Sequence, residues 1–411
     1  MTPELLQHQY PNGLVLLAEP MPHVQSAAFS FLIPAGAAFE PAELPGSASM
    51  LGEWLIRGAG ERDSRDLLSA LDELGVSHAE GAQTIHSCIS AASLGRNLLP
   101  ALAIFADVVR RPAFDDDEVD SIRALCLQSL RSLEDDPGSK AITELRRRHF
   151  ADPWGRSPIG TVEGVTAAAP DDLRSLFRRS YRPDGAILGV AGAFDWEAVR
   201  DEVGRLFGDW DAGQPSPVLE RPTGPARSHL GQETQQTQIA LAFPSVPVNH
   251  PDYYRARAAA AILGGYTSAR LFTEVREKRG LCYSVFASYE AFKDRAAVIC
   301  YAGTAPERAQ QTLDVTLEEI RRLASGGVDR EELDMMRAGL KSALVMQQES
   351  SMSRSASLAS DWYHLGRVRP IDEVAAALDA LTPEQVGAFA SGMDLDAMTI
   401  LTLGPEPLQL G

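Results

Sequence analysis

Three stretches of this chain recur at almost one spacing, and that internal repeat limits what it can fold into more than any other feature. Asp117–Ala124 (DEVDSIRA) aligns with Glu331–Ala338 (EELDMMRA) at an offset of 331 − 117 = 214. Ala169-Pro170-Asp171-Asp172-Leu173 aligns with Thr382-Pro383-Glu384-Gln385-Val386 at an offset of 213, and Ser26–Phe31 with Gln238–Phe243 at 212. The first pair predicts long amphipathic helices with acids in the first turn, where the helix dipole favours them. The second predicts helix starts with proline in the first turn. Apolar strands then follow in both halves, at Ala186–Val190 and Met398–Thr402. A segment rich in Pro and Gly, 208–228, separates the copies. The division is therefore 1–207, a linker at 208–228, and 229–411. Strands and helices mix without strict alternation. That pattern predicts an α+β fold of two homologous halves, each an antiparallel-rich mixed sheet with helices on one face.

Charge and composition narrow the function. The balance is 38 Lys+Arg against 56 Asp+Glu, so 38 − 56 = −18. Such a chain repels phosphate backbones and has no basic stripe, which excludes nucleic acid. The acidity serves solubility, or else a cavity that draws in basic peptides; composition does not choose between them. No stretch reaches the ~18 apolar residues of a membrane helix. Met1–Pro20 lacks the charged start, apolar run and cleavage site of a signal peptide. Cys88, Cys126, Cys282 and Cys300 are scattered with no C-x-x-C pair and read as reduced thiols. The expectation is a cytoplasmic protein.

Two segments carry chemistry. A helix is expected to open at Pro45-Gly46-Ser47 and run to Gly58, with a further helix start at Arg62–Leu67 and a strand near Thr84–Ala91. In the second half, Leu263–Phe272 (LGGYTSARLF) runs into Thr273–Val285 (TEVREKRGLCYSV). The latter is similar to the C-terminal signature of the pitrilysin/insulinase metallopeptidases, G-G-x-x-S-x-R-L-F followed by R-E-x-x-G-L-x-Y. The former resembles the helix on which that family carries an inverted zinc motif, H-x-x-E-H. Glu53 falls in register, while Gly46 and Gly58 each sit one residue early.

Two histidines at i and i+4 share a helix face and bind one zinc, and the intervening glutamate takes a proton from the zinc-bound water. Here the histidine positions hold Met50 and Trp54. The place of the third ligand, 129 − 54 = 75 residues on, holds Ser129. An indole has no lone pair for a metal, a thioether suits Cu(I) rather than zinc, and a serine does not replace a carboxylate. Of the motif only Glu53 remains, as a remnant or a structural acid. None of the eight histidines has a partner at ligand spacing; His86 reads as a solvent-facing or hydrogen-bonded strand residue.

The resemblance implies that Arg276 and Tyr283 project towards a zinc site: tyrosine donating to the oxygen that gains charge, arginine holding substrate carbonyls. On residues alone, Arg276 pairing with Glu274, Glu277 or another acid, and Tyr283 packing inward, are as open as the functional reading. Shorter bacterial members of the family can be pairs of chains that clamp around a chamber, one with the zinc motif and the other with arginine and tyrosine. The resemblance thus implies a clam-like half-chamber and a non-catalytic subunit with no cofactor of its own. Its partners would be a homologous catalytic subunit that holds zinc and a peptide added as a strand to a sheet edge. The alternative is a structural or peptide-binding relative, a scaffold or homodimer, without peptidase activity. A self-sufficient peptidase would require metal bound by this chain alone.

Overall fold

The computed structural model of the chain describes residues 4–213, 218, 220–222 and 224–410. Positions 214–217, 219 and 223 of the expected linker lie outside the described residues. The strands are β1 (Leu6–Gln9), β2 (Val15–Pro20), β3 (Ser26–Ile33), β4 (Gly58–Ala59), β5 (Arg62–Asp63), β6 (Ser77–Ala82), β7 (Ser87–Leu94), β8 (Ile187–Gly192), β9 (Arg227–Gly231), β10 (Thr237–Ser245), β11 (Cys282–Ala291), β12 (Ala296–Thr304) and β13 (Thr399–Gly404).

Two mixed sheets result, in the orders β1-β2-β8-β3-β7-β6 and β11-β12-β10-β13-β9. The repeat read from sequence recurs as pairing. β3 lies antiparallel to β8, and its counterpart β10 lies antiparallel to β13. β2 runs parallel to β8 as β9 does to β13; all other ladders of the two sheets are antiparallel. The Pro-led helices form as expected, at Pro170–Ser180 and Pro383–Ser391, the second closed by a capping box between Thr382 and Gln385.

Alternation along the central strands divides the core in two. Leu14, Leu16, Phe29, Phe31, Leu188 and Val190 face one side of the first sheet and meet helices of the same half. Val15, Leu17 and Ile187 face the other side and meet Leu358 and Ala359, on the helix Ser351–Leu365 from the far half of the sequence. The second sheet mirrors this. Ile239, Leu241 and Phe243 face its own helices, while Ala240, Ala242, Ile299, Leu401 and Leu403 meet Ala141 and Leu145 of the helix Pro137–His149.

Each half thus lends one helix to the other. The compact units are Met1–Ser132 with Asp152–Arg221 and Gln347–Val368, and Leu133–Ala151 with Pro222–Met346 and Arg369–Gly411. They depart from the contiguous division 1–207 and 229–411, because the second sheet face of each half needs an apolar cover. Side chains explain why these helices fit. A Cβ at Gly189 would strike the Ser355 carbonyl, so the Ser351–Leu365 helix lies against bare backbone there. At its start, Arg354 Nε and Nη2 donate to Glu19 Oε2 at 2.8 and 2.5 Å in a buried ion pair.

Local boundaries shift from the sequence expectation. The first motif helix is Ser47–Leu55, ending before Gly58, which at φ 126° opens the short β4. The expected strand Thr84–Ala91 is β7, Ser87–Leu94, since Gln83 N–H donates to the His86 carbonyl and closes a turn. His86 is therefore a buried turn residue rather than a strand residue, edge-on to Tyr363 with ring centroids 4.6 Å apart. Among the described residues no helix is long and apolar enough to cross a membrane, and all four cysteines are free.

Candidate functional site

In the first unit, the helix Ser47–Leu55 starts from a buried acid. The Glu40 carboxylate accepts the N–H groups of Gly46 at 3.0 Å and Ala48 at 2.6 Å, two of the donors a helix start leaves open. Gly46 holds φ 101°, and a Cβ there would press on Val165, so only glycine suits this entry. Burial pushes the Glu40 carboxyl up to about 7 against those two hydrogen bonds and the Arg156 charge.

Met50 and Trp54 share one face of this helix, as i and i+4 must, and both are 0% exposed. They pack with Val119, Ile122, Cys126 and Leu130 of the helix Val119–Glu134, and with Val165, Ala168 and Leu173. Trp54 Nε1 donates to the Asp115 carbonyl at 2.9 Å, and its ring meets Phe114 at 4.6 Å. Glu53 is half-buried near Cys126, whose thiol is pushed up to about 11, first by burial and then by the Glu53 charge. Ser129 stands on the exposed side of the Val119–Glu134 helix and donates to the Leu125 carbonyl at 3.2 Å.

The structure thus brings Met50 and Trp54 together as apolar core, sets Glu53 beside that core, and leaves Ser129 out of it. These donors do not fit zinc: a buried thioether, an indole and an outward hydroxyl supply no tetrahedral set of nitrogen, sulfur or carboxylate ligands. Among the described residues no three His, Cys, Asp or Glu side chains gather closely enough to hold a metal ion.

The second unit carries the other segment. One turn of π-helix, Phe272–Glu277, follows Arg270, whose guanidinium grips both Glu332 carboxylate oxygens, at 2.6 and 2.7 Å, and the Gly327 carbonyl. The turn ends at Gly280, φ 60°, where the Gly280 N–H donates to the Arg276 carbonyl and the Leu281 N–H to the Val275 carbonyl. β11 then begins with a bulge: Cys282 faces Thr304 and Ser284 faces Gly303, leaving Tyr283 as the unpaired residue.

The bulge turns Tyr283 out of the sheet, and it is 81% exposed. Arg276 lies over its ring at 5.2 Å and over the Phe272 ring at 4.7 Å, a cation between two aromatic faces. Among the described residues its guanidinium has no ion pair and no hydrogen-bond acceptor. Glu274 is taken by Lys278 at 2.7 Å and Arg279 at 2.6 Å, and those hydrogen bonds hold its carboxyl below the usual range. Glu277 is exposed. Neither packing alternative describes these residues: Arg276 is not paired with Glu274 or Glu277, and Tyr283 does not pack inward. The pair sets a planar guanidinium fork beside an exposed phenol, donors able to meet an oxygen that carries negative charge. Sequence spacing did not reveal the bulge, because its signal lies in the partner strand's register.

Comparison with known proteins places these elements. Residues 15–160 match the family model described as insulinase (peptidase family M16), and residues 168–340 match that described as peptidase M16 inactive domain. An uncharacterized zinc protease of Mycobacterium tuberculosis is 29% identical over 403 residues, covering 96% of this chain and 92% of its own. An uncharacterized zinc protease of Bacillus subtilis is 26% identical over 397 residues, covering 96% and 97%. The crystal structure of a peptidase M16 inactive domain from Pseudomonas fluorescens shares the fold with a TM-score of 0.90, at 22% identity over 99% of both chains. A protease from Helicobacter pylori does so with a TM-score of 0.89 at 17% identity, over 98% of this chain and 100% of that one.

Proposed function

Because the chain belongs to the insulinase family, peptidase family M16, we propose that it is the non-catalytic partner subunit of a two-chain zinc peptidase. The observation that carries this reading is Arg276, held between Phe272 and an exposed Tyr283 with its hydrogen-bonding edge unspent. A scaffold gains nothing from an unpaired guanidinium beside an exposed phenol; a clamp for substrate does. In the assembled enzyme Tyr283 donates to the carbonyl oxygen under attack, and Arg276 holds neighbouring backbone carbonyls of the peptide. The metal chemistry belongs to a homologous subunit that keeps the zinc motif, since Met50, Trp54 and Ser129 do not fit zinc. Four unpaired cysteines suit a reducing compartment, so assembly in the cytoplasm is part of the proposal.

The test is peptide cleavage together with zinc content, for this chain alone and mixed with a homologue from its source that carries H-x-x-E-H. A metal-free, inert chain whose addition raises the homologue's rate supports the proposal. If no complex forms and the rate does not rise, the chain is a scaffold or peptide-binding relative.

A further inference from the structure

Tyr283 stands free of the sheet, yet the carbonyls of Gly280 and Leu281, three and two residues before it, are each held by a side chain. The Gly280 carbonyl accepts Arg308 Nη1 at 2.6 Å, and the Leu281 carbonyl accepts Thr304 Oγ1 at 2.6 Å. Thr304 is the last residue of β12, faces Cys282 across the ladder, and is fully buried. Its oxygen lies 3.0 Å from Thr312 Oγ1, whose single proton is shared between Thr304 Oγ1 and the Arg308 carbonyl at 2.9 Å. Thr312 thus lies between the Thr304 hydroxyl and the Arg308 backbone, and the Thr304 and Arg308 side chains grip two successive carbonyls immediately before the bulge.

We infer that Thr304 and Arg308 are positioning residues for the Arg276/Tyr283 pair, fixing the backbone from which Tyr283 leaves the sheet. A bulge residue has lost its ladder partners, and Gly280 at φ 60° has no Cβ to limit it. Without the two side-chain bonds, only the Gly280 and Leu281 N–H bonds and the Cys282 pairing restrain the segment between the π-turn and Ser284, and the Tyr283 ring is free to slide off the Arg276 guanidinium. With them the phenol is set before substrate arrives, which is what a transition-state donor requires. The inference rests on the proposed role of Arg276 and Tyr283, but the geometry it claims belongs to this chain alone.

Two measurements separate the claims. In the full chain with labelled arginine, the Arg276 Nε–H resonance, assigned by its loss in Arg276→Lys, carries an upfield ring-current shift from Phe272 and Tyr283. Thr304→Val and Arg308→Met are expected to lose more than half of that shift, and Thr304→Ser, which keeps the hydroxyl, to retain it. Arg308 is exposed, so Arg308→Met decides the matter even where Thr304→Val fails to fold. In the mixture with the H-x-x-E-H homologue, Arg308→Met is expected to lower kcat by about tenfold or more with KM little changed, as for a misplaced catalytic contact. An unaltered ring-current shift in Arg308→Met overturns the inference, as does an unaltered kcat in a mixture where Tyr283→Phe is slow. If Tyr283→Phe is itself as fast as the unaltered chain, the proposed function fails, and the resonance alone judges the positioning claim.

Discussion

At the scale of single residues, the same helix face carries opposite meanings in a zinc peptidase and in this chain. Met50 and Trp54 keep the i, i+4 relation that two zinc ligands need, but spend it on core packing with Ile122, Cys126 and Leu130. Trp54→Ala is expected to destabilise the first unit by about 3–5 kcal/mol, read by denaturant unfolding, since it empties a fully buried site and frees the Asp115 carbonyl. Tyr283→Phe is the contrasting case. The ring stacking on Arg276 survives and only an exposed hydroxyl goes, so stability should not move, while the assembled enzyme should slow by ~10²–10³. Glu40 adds a pH dependence. Its folded carboxyl titrates near 7 against an ordinary 4.5, so between those values the folded state binds the extra proton and stability falls as pH rises. The cost at neutral pH is on the order of 3 kcal/mol. Glu40→Gln keeps the acceptor for Gly46 and Ala48 and should flatten that slope; an unchanged slope between pH 4.5 and 7 would show that the burial of Glu40 is not its source.

At the scale of elements, the two exchanged helices are held by different means. The Ser351–Leu365 helix is anchored by a buried ion pair between Arg354 and Glu19, with Ser351 Oγ 3.1 Å from Ser26 Oγ. Removing one member of such a pair strands a charge, so Arg354→Ala should cost about 3–5 kcal/mol. Replacing both, with Glu19→Leu and Arg354→Met, should recover most of that loss, and a double mutant as unstable as the single would rule the stranded charge out as its cause. The Pro137–His149 helix relies on Ala141 and Leu145 against Ala240 and Ala242, with rim contacts from Arg146 to Glu290 and His149 to Thr399. Small residues on the sheet side let that helix approach closely.

At the scale of the whole molecule, neither half of the sequence contains all of the residues that cover its own sheet. Residues 1–207 without the Ser351–Leu365 helix would leave Val15, Leu17 and Ile187 open to water, and residues 229–411 without Pro137–His149 would do the same to Leu401 and Leu403. Each half expressed alone is therefore expected to aggregate or to bind a hydrophobic dye. The two halves co-expressed should copurify as one folded species. Folded, soluble half-chains would show that the exchange is dispensable.

The duplication, the equivalence of β3 with β10 and of β8 with β13, and the apolar or hydroxyl side chains at Met50, Trp54 and Ser129 are legible in the order of residues alone. Those properties are written in local pattern and residue chemistry, which survive without knowledge of contacts. Which helix covers which sheet face, the burial of Glu40 and His86, and the outward turn of Tyr283 emerge from contacts between distant segments. Each depends on residues far apart in the chain: Glu19 with Arg354, Arg156 with Glu40, Thr304 with Leu281. A one-residue offset between two strands is invisible in either strand alone, yet it decides whether a tyrosine packs in the core or stands exposed.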